Sequence, residues 1–257
     1  MPDTASGANP RRLAVALGLG GLVLGAACIA AELLSGFGSR WGWWHYSVGF
    51  VILRWAAGSS LAVVLLSLVG AILAGRAGAM AALAAGIAGV ALAVPASGLP
   101  AYYWYQGRHL PHIHDITTDT DDPPRFVAVL PLRRDARNPA EYGGAKIAEQ
   151  QKQDYPDIVP AVLAAPPAAV FERALAAARA MGWEFVAAAP GELRIEATDT
   201  TLFYGFKDDV VIRIAPAAGG SRVDVRSLSR VGGGDFGANA KRVRAFLREL
   251  TAPHLPI

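Results

Sequence analysis

The stretch "DVVIRIAPAAGGSRVDVRSLS", residues 209–229, alternates apolar and polar side chains on both sides of a glycine-containing break. A period of two places successive side chains on opposite faces of a strand. Val210, Ile212 and Ile214 therefore share one face, as do Val223 and Val225, while Arg213, Arg222, Asp224 and Arg226 point the other way. With "APAAGG" (215–220) as the hairpin loop, the spacing predicts an antiparallel pair that has one core face and one charged ladder.

Working outward, "WEFVAAA" (183–189), "ELRIEATDT" (192–200) and "LFYGF" (202–206) read as further short strands, and "FVAVLPL" (126–132) as another. Residues 140–160 suggest a polar helix ending at Tyr155, before Pro156. A firmer helix begins at Pro166 and Pro167, carries Val170, Phe171, Ala174, Leu175, Ala178 and Met181 on one side, and stops at Gly182. The closing helix repeats Val243, Phe246, Leu247 and Leu250 at helical spacing, with Lys241, Arg242, Arg244 and Arg248 mostly opposite. Helix, antiparallel strands and helix make an α+β sandwich large enough to bury one core.

The other half of the chain is of a different kind. The first hundred residues hold five basic and two acidic side chains, and the remainder holds nineteen of each, so the formal net charge of +3 belongs to the first part. That part contains three apolar runs, about 13–34, 48–74 and 77–98, each long enough to cross a hydrocarbon core of roughly 30 Å. They raise the mean hydropathy to +0.32. The expected architecture is an N-terminal three-helix transmembrane bundle (1–100), an extended linker (101–124) closed by prolines, and an antiparallel-sheet domain packed by helices (125–257). The first run resembles a cleavable signal segment, but its length favours a retained helix.

Arg11, Arg12 and Arg76 would face the cytoplasm by the positive-inside rule, with Arg40 dissenting. The C-terminal domain would then lie on the extracytoplasmic side, with "WGWWHY" (41–46) and "YYWY" (102–105) as belts at the outer interface. Gly21 and Gly25, Gly70 and Ala74, and Gly78, Ala82 and Gly86 have the spacing of close helix packing. Glu32 and Arg54 are the ionisable pair inside the spans, expected to approach each other or to reach the interface; an ion path is the sharper alternative. The basic balance is a topology signal, so no nucleic-acid partner is expected. The single cysteine, Cys28, excludes an internal disulfide, and "LGAAC" only partly matches a lipidation box because Gly25 stands where an aliphatic belongs.

Chemistry-bearing residues are sparse. His112, His114 and Asp115 form the one metal-ligand-like cluster, but their spacing fits no recurrent zinc pattern, and Asp119, Asp121 and Asp122 lack the glycine and distal glutamate of a calcium loop. No metal and no cofactor is expected. In "SRVGGGDFGANAKRVRAF" (229–246), Asp235 would cap the last helix after glycines able to take positive φ. The same stretch could instead present N–H groups, with Arg226 and Arg230, to an anionic headgroup, phosphate or carboxylate.

The segments "HDITTD", "YPDI", "IEATDTTLFYGFKDDVVIRI" and "SRVDVRSLSRVGGGDFGANAKRV" resemble the domain-of-unknown-function family 1499, known from bacteria and plastid-bearing eukaryotes. The likeness runs from about His114 to Leu250 and leaves out the three-helix anchor. It implies no reaction, but directs attention to Arg226, Ser227, Ser229, Arg230, Gly232, Asp235, Gly237 and Asn239 as ligand-binding candidates.

Three functional readings compete. One is a cell-envelope binding or assembly module at the cytoplasmic membrane, with membrane lipid or another envelope protein as partner. The second is a hydrolase using His114 with Asp115, or Asp208 with Asp209, as acid and base, although no GxSxG elbow or zincin helix is present. The third is an accessory subunit of a transport or export complex. The first requires no missing chemistry. Convergence of His114, Asp115, Glu196, Asp208, Arg226 and Arg230 in one concavity would favour an enzyme or ligand site.

Overall fold

The computed structural model describes residues 9–252, so the first eight and last five residues of the expected domains lie outside the described residues. The chain divides into two compact units, one of residues 1–108 with 202–205, the other of 109–201 with 206–257.

The first unit holds α1 (Pro10–Arg40), α2 (Tyr46–Arg76) and α3 (Met80–His109), all long and apolar enough to cross a membrane. Small residues set their packing, because helices in lipid gain from close backbone approach. A Cβ added to Gly21 would come within 2.3 Å of Ser67 Oγ, and one on Gly70 within 2.8 Å of the Gly18 nitrogen. Gly78 is not part of this seam: it sits in the α2–α3 turn with φ +65°. The third helix runs past the end of its apolar run near residue 98 to His109, with Pro95 and Pro100 inside it, and takes up residues read as linker. Interior proline is tolerated in such helices because neighbouring helices and local adjustment accommodate the freed carbonyls. No ion pair joins Glu32 and Arg54 among the described residues; Arg54 is exposed and one oxygen of the half-buried Glu32 carboxylate has no partner.

"LFYGF" is not a strand. Residues 202–205 form the turn after Thr200 and belong to the helical unit, where Phe203 meets Phe37 edge-on at 5.4 Å and the Tyr204 hydroxyl lies 3.2 Å from Ser35 Oγ. Its alternation reports aromatic packing, not pairing in a sheet.

The second unit is a six-stranded, wholly antiparallel sheet of β1 (Asp115–Thr117), β2 (Ala161–Leu163), β3 (Glu184–Ala189), β4 (Arg194–Thr200), β5 (Lys207–Ala217) and β6 (Gly220–Ser229). The order is β1-β6-β5-β4-β3, with β2 also on β6. The central hairpin pairs Ile212 with Val225 and Ile214 with Val223, and its turn is shorter than expected: Ala217 pairs with Gly220, and Gly219 takes φ +77° in the two-residue loop. β1 and β2 carry no periodic signal, being three-residue strands on the edge of β6.

Helices α4 (Ala145–Asp154), α5 (Pro167–Ala180) and α6 (Ala238–Thr251) complete the unit. The apolar faces of α5 and α6 share one core with Ile195, Val210, Ile212, Ile214, Val223 and Val225. Within it Trp183 stacks on Phe246 at 5.4 Å. Arg242 departs from the expected polar side of α6: it turns inward, with 7% of its surface exposed.

The opposite face is not the open charged ladder that the alternation suggests. Its rows Arg194–Arg213–Asp224, Glu196–Val211–Arg226 and Thr198–Asp209–Leu228 follow from the register, and residues 118–142 cover much of it. "FVAVLPL" is part of that cover and forms no strand; it leads into a 3-10 turn at Leu130–Arg133. The reason is Glu196, whose carboxylate accepts the N–H groups of Val127, Ala128 and Val129 at 2.9–3.1 Å and so takes the donors that a neighbouring strand would have used.

Candidate functional site

Strand alternation decides where the charged groups go. Asp208 and Asp209 are consecutive in β5 and therefore face opposite sides of the sheet, so they cannot act together as acid and base. On the α6 side, Asp208 accepts from Arg242 at 2.7 Å and Asp199 accepts from the same guanidinium at 2.7 Å. Arg242 also donates to Asn239 Oδ1 and Ser227 Oγ. Asn239 closes the network: its oxygen accepts from Ser227, and its amide nitrogen donates to Ser229 Oγ at 2.9 Å and to the His114 carbonyl at 3.0 Å.

On the other face Asp209 is fully buried between Arg133 and Arg230, and accepts the Thr198 hydroxyl at 2.7 Å. Arg226 is paired bidentately with Asp115 at 2.9 and 2.7 Å, and it also donates to the carbonyls of Pro124 and Ala140. Its guanidinium lies 5.0 Å from the Phe126 ring centre and 5.5 Å from that of Tyr142. Glu196 carries Arg194 as its counter-ion in addition to the three N–H groups. Burying a carboxylate is tolerable only with such complete pairing.

The helix-opening motif resolves locally. The N-cap of α6 is Gly237 and not Asp235 as expected, but the Asp235 carboxylate accepts the N–H groups of Gly237 and Asn239, each at 2.8 Å, and so still meets a free donor of the first turn. Phe236 and Gly237 take φ +54° and +75°, and Gly232, at φ +96°, accepts from Asn138 through its carbonyl. Burial pushes the Asp235 carboxyl above its ordinary value, partly offset by the hydrogen bonds from Asn239 and Gly237.

His112 is exposed, and His114 Nδ1 is 3.4 Å from the Gly233 carbonyl oxygen. With Asp115 committed to Arg226, these three do not assemble, and no metal-holding group of three or more His, Cys, Asp or Glu occurs among the described residues. Asp119 shapes a turn instead, accepting from the N–H groups of Asp121 and Asp122 and meeting Arg213 and Arg222. Burial opposes its charge, but the two N–H groups and the two arginines outweigh this and hold the carboxyl below its usual range.

The candidates His114, Asp115, Glu196, Asp208, Arg226 and Arg230 thus fall into separate networks on two faces of one sheet. A cavity of about 460 Å³ opens beside one of them, lined by Arg125, Phe126, Leu130, Glu141, Tyr142 and Arg226 among others. The Tyr142 hydroxyl is buried without a hydrogen-bond partner, and burial, reinforced by Asp115, pushes its pKa up to about 12. Tyr142 escapes a sequence reading because an aromatic before "GG" has no periodic partner. Arg133 escapes it because its partner Asp209 lies far along the chain, and Arg242 because helical spacing sets it on the polar side of α6.

No curated protein and no solved structure matches the chain. The family model described as "Protein of unknown function (DUF1499)" matches residues 115–250, which spans β1 to the last turn of α6 and takes in both networks. By that match, over more than half of its length, the chain belongs to the DUF1499 family.

Proposed function

We propose that the chain is a membrane-anchored binding module of the cell envelope, with its α+β domain on the extracytoplasmic side of the cytoplasmic membrane. The observation that carries the reading is the cavity beside Arg226, whose wall includes Tyr142, a residue with a buried hydroxyl that has no partner. A buried donor without an acceptor costs about 1–3 kcal/mol, and a ligand that supplies the acceptor recovers it. The cavity therefore takes a small polar ligand with a hydrogen-bond acceptor for Tyr142, at a rim where Arg125 stands among Asp121, Asp122 and Glu141. Hydrolysis is less well supported, because Asp115, Asp208, Asp209 and Glu196 are all engaged by arginines.

The test is native mass spectrometry of the detergent-extracted chain. The wild type is expected to retain a non-covalent adduct that Tyr142→Phe loses. An adduct-free wild type, or one whose adduct is unaffected by Tyr142→Phe, overturns the reading. Orientation is tested separately with C-terminal reporter fusions: activity of a reporter that works only in the cytosol would place the domain on the wrong side.

A further inference from the structure

In the second unit the large apolar side chains exposed among the described residues are Val127, Leu130, Leu132, Val159, Val162 and Phe236. Val127, Leu130 and Leu132, at 52%, 44% and 53% exposure, crowd one short turn. This turn is held in place. Glu196 binds its three successive N–H groups, Phe126 and Val129 are buried with Val211 and Leu228, and Arg133 ties its far end to Asp209 and to the Asn138 carbonyl. An ordered backbone that turns its apolar side chains outward presents a binding surface.

The charge around it selects the occupant. Arg125 and Arg134 are the exposed charges within the turn itself, with Arg137 and Asp135 just beyond; of the nearby acids, Asp121 is paired with Lys152 and Asp122 with Arg213, and Glu141 is exposed. The same chain carries three helices able to cross a bilayer, so a lipid surface is within its tether. We propose that the turn at residues 125–134 docks onto an anionic lipid surface, with Val127, Leu130 and Leu132 entering the headgroup layer and Arg125 and Arg134 meeting lipid phosphates. Apolar insertion supplies depth, and the arginines supply selectivity for anionic lipid. The surface shares Arg125 and Leu130 with the rim of the cavity beside Arg226, but Leu132 is not among the residues that line it, so docking is read at Leu132 and cavity binding at Tyr142.

The experiment uses the full chain in lipid nanodiscs, with Cys28→Ser as background and a fluorophore at Leu132→Cys. The control label is at Val162→Cys, an exposed position on β2. Headgroup-level nitroxide lipids report contact. Quenching at 132 is expected to exceed that at 162 in discs containing phosphatidylglycerol and to fall in phosphatidylcholine alone. Arg134→Gln is expected to weaken docking about fivefold. Quenching no greater at 132 than at 162 overturns the proposal, as does equal quenching in both lipids, since the tether alone would then set the depth. Self-quenching between labels in one disc would name a second copy of the chain as the occupant and overturn it too.

Discussion

On one face of the sheet Ile212 and Val225 are buried with Phe171 and Phe246 from two helices; on the other, Val211 and Arg226 are covered by a segment with no regular structure beyond a 3-10 turn. The first face is closed by apolar area, which is non-directional and tolerates any side chain of suitable volume. The second is closed by arginine–carboxylate pairs and carboxylate-to-backbone bonds, which require each partner at a fixed distance and angle. An irregular segment can be held down only by such directional contacts, because it has no periodic apolar stripe to bury.

The two kinds of closure should respond differently to mutation. Asp209→Ala leaves the buried Arg133 and the partly buried Arg230 without their counter-ion and is expected to cost about 4 to 5 kcal/mol, read as faster hydrogen exchange of the β5 and β6 amides. Phe246→Ala, which opens the helical face, should cost about 4 kcal/mol by the same measurement. If Asp209→Ala cost under about 1 kcal/mol, the charged face would not be the directional lock described above.

A pair exchange sharpens the contrast. Arg226→Met alone strands Asp115 and is expected to cost about 3 kcal/mol, whereas Arg226→Met with Asp115→Leu should lie within about 1 kcal/mol of the wild type. The double variant nonetheless loses the bonds to the Pro124 and Ala140 carbonyls, so amide exchange within 124–142 should quicken while the strands stay protected. Equal stability of the single and double variants would show that the ion pair does not hold this face.

The smallest effect is on acid stability. Asp119 has its carboxyl lowered in the folded chain, so its contribution is complete above the ordinary carboxylate value of about 3.9 and is lost as pH falls through the folded value. Asp119→Asn should therefore flatten part of the stability loss below about pH 4 and leave the pH dependence at neutrality unchanged. A changed slope near neutrality would assign the effect to another group.

Much of the apolar face was legible in the chain itself. The alternation of Val210, Ile212 and Ile214 and the helical spacing of Val243, Phe246 and Leu250 name the residues that meet in the core. The three spans and the place where α6 starts were legible for the same reason, since each is written within one turn or one helix. The charged face was not. Arg226, Ser227 and Arg230 could be singled out, but their partners Asp115, Asn239 with Arg242, and Asp209 lie on other elements.

Sequence by itself determined the elements whose signal is local: three bilayer-length helices, the central hairpin and two amphipathic helices. Tertiary structure alone decided that "FVAVLPL" becomes a turn on a buried carboxylate, that "LFYGF" joins the helical unit, and that Asp208 meets Arg242 while Asp209 meets Arg133. Periodicity records which way a side chain points, whereas an ion pair depends on which distant residue the fold brings within about 3 Å of it.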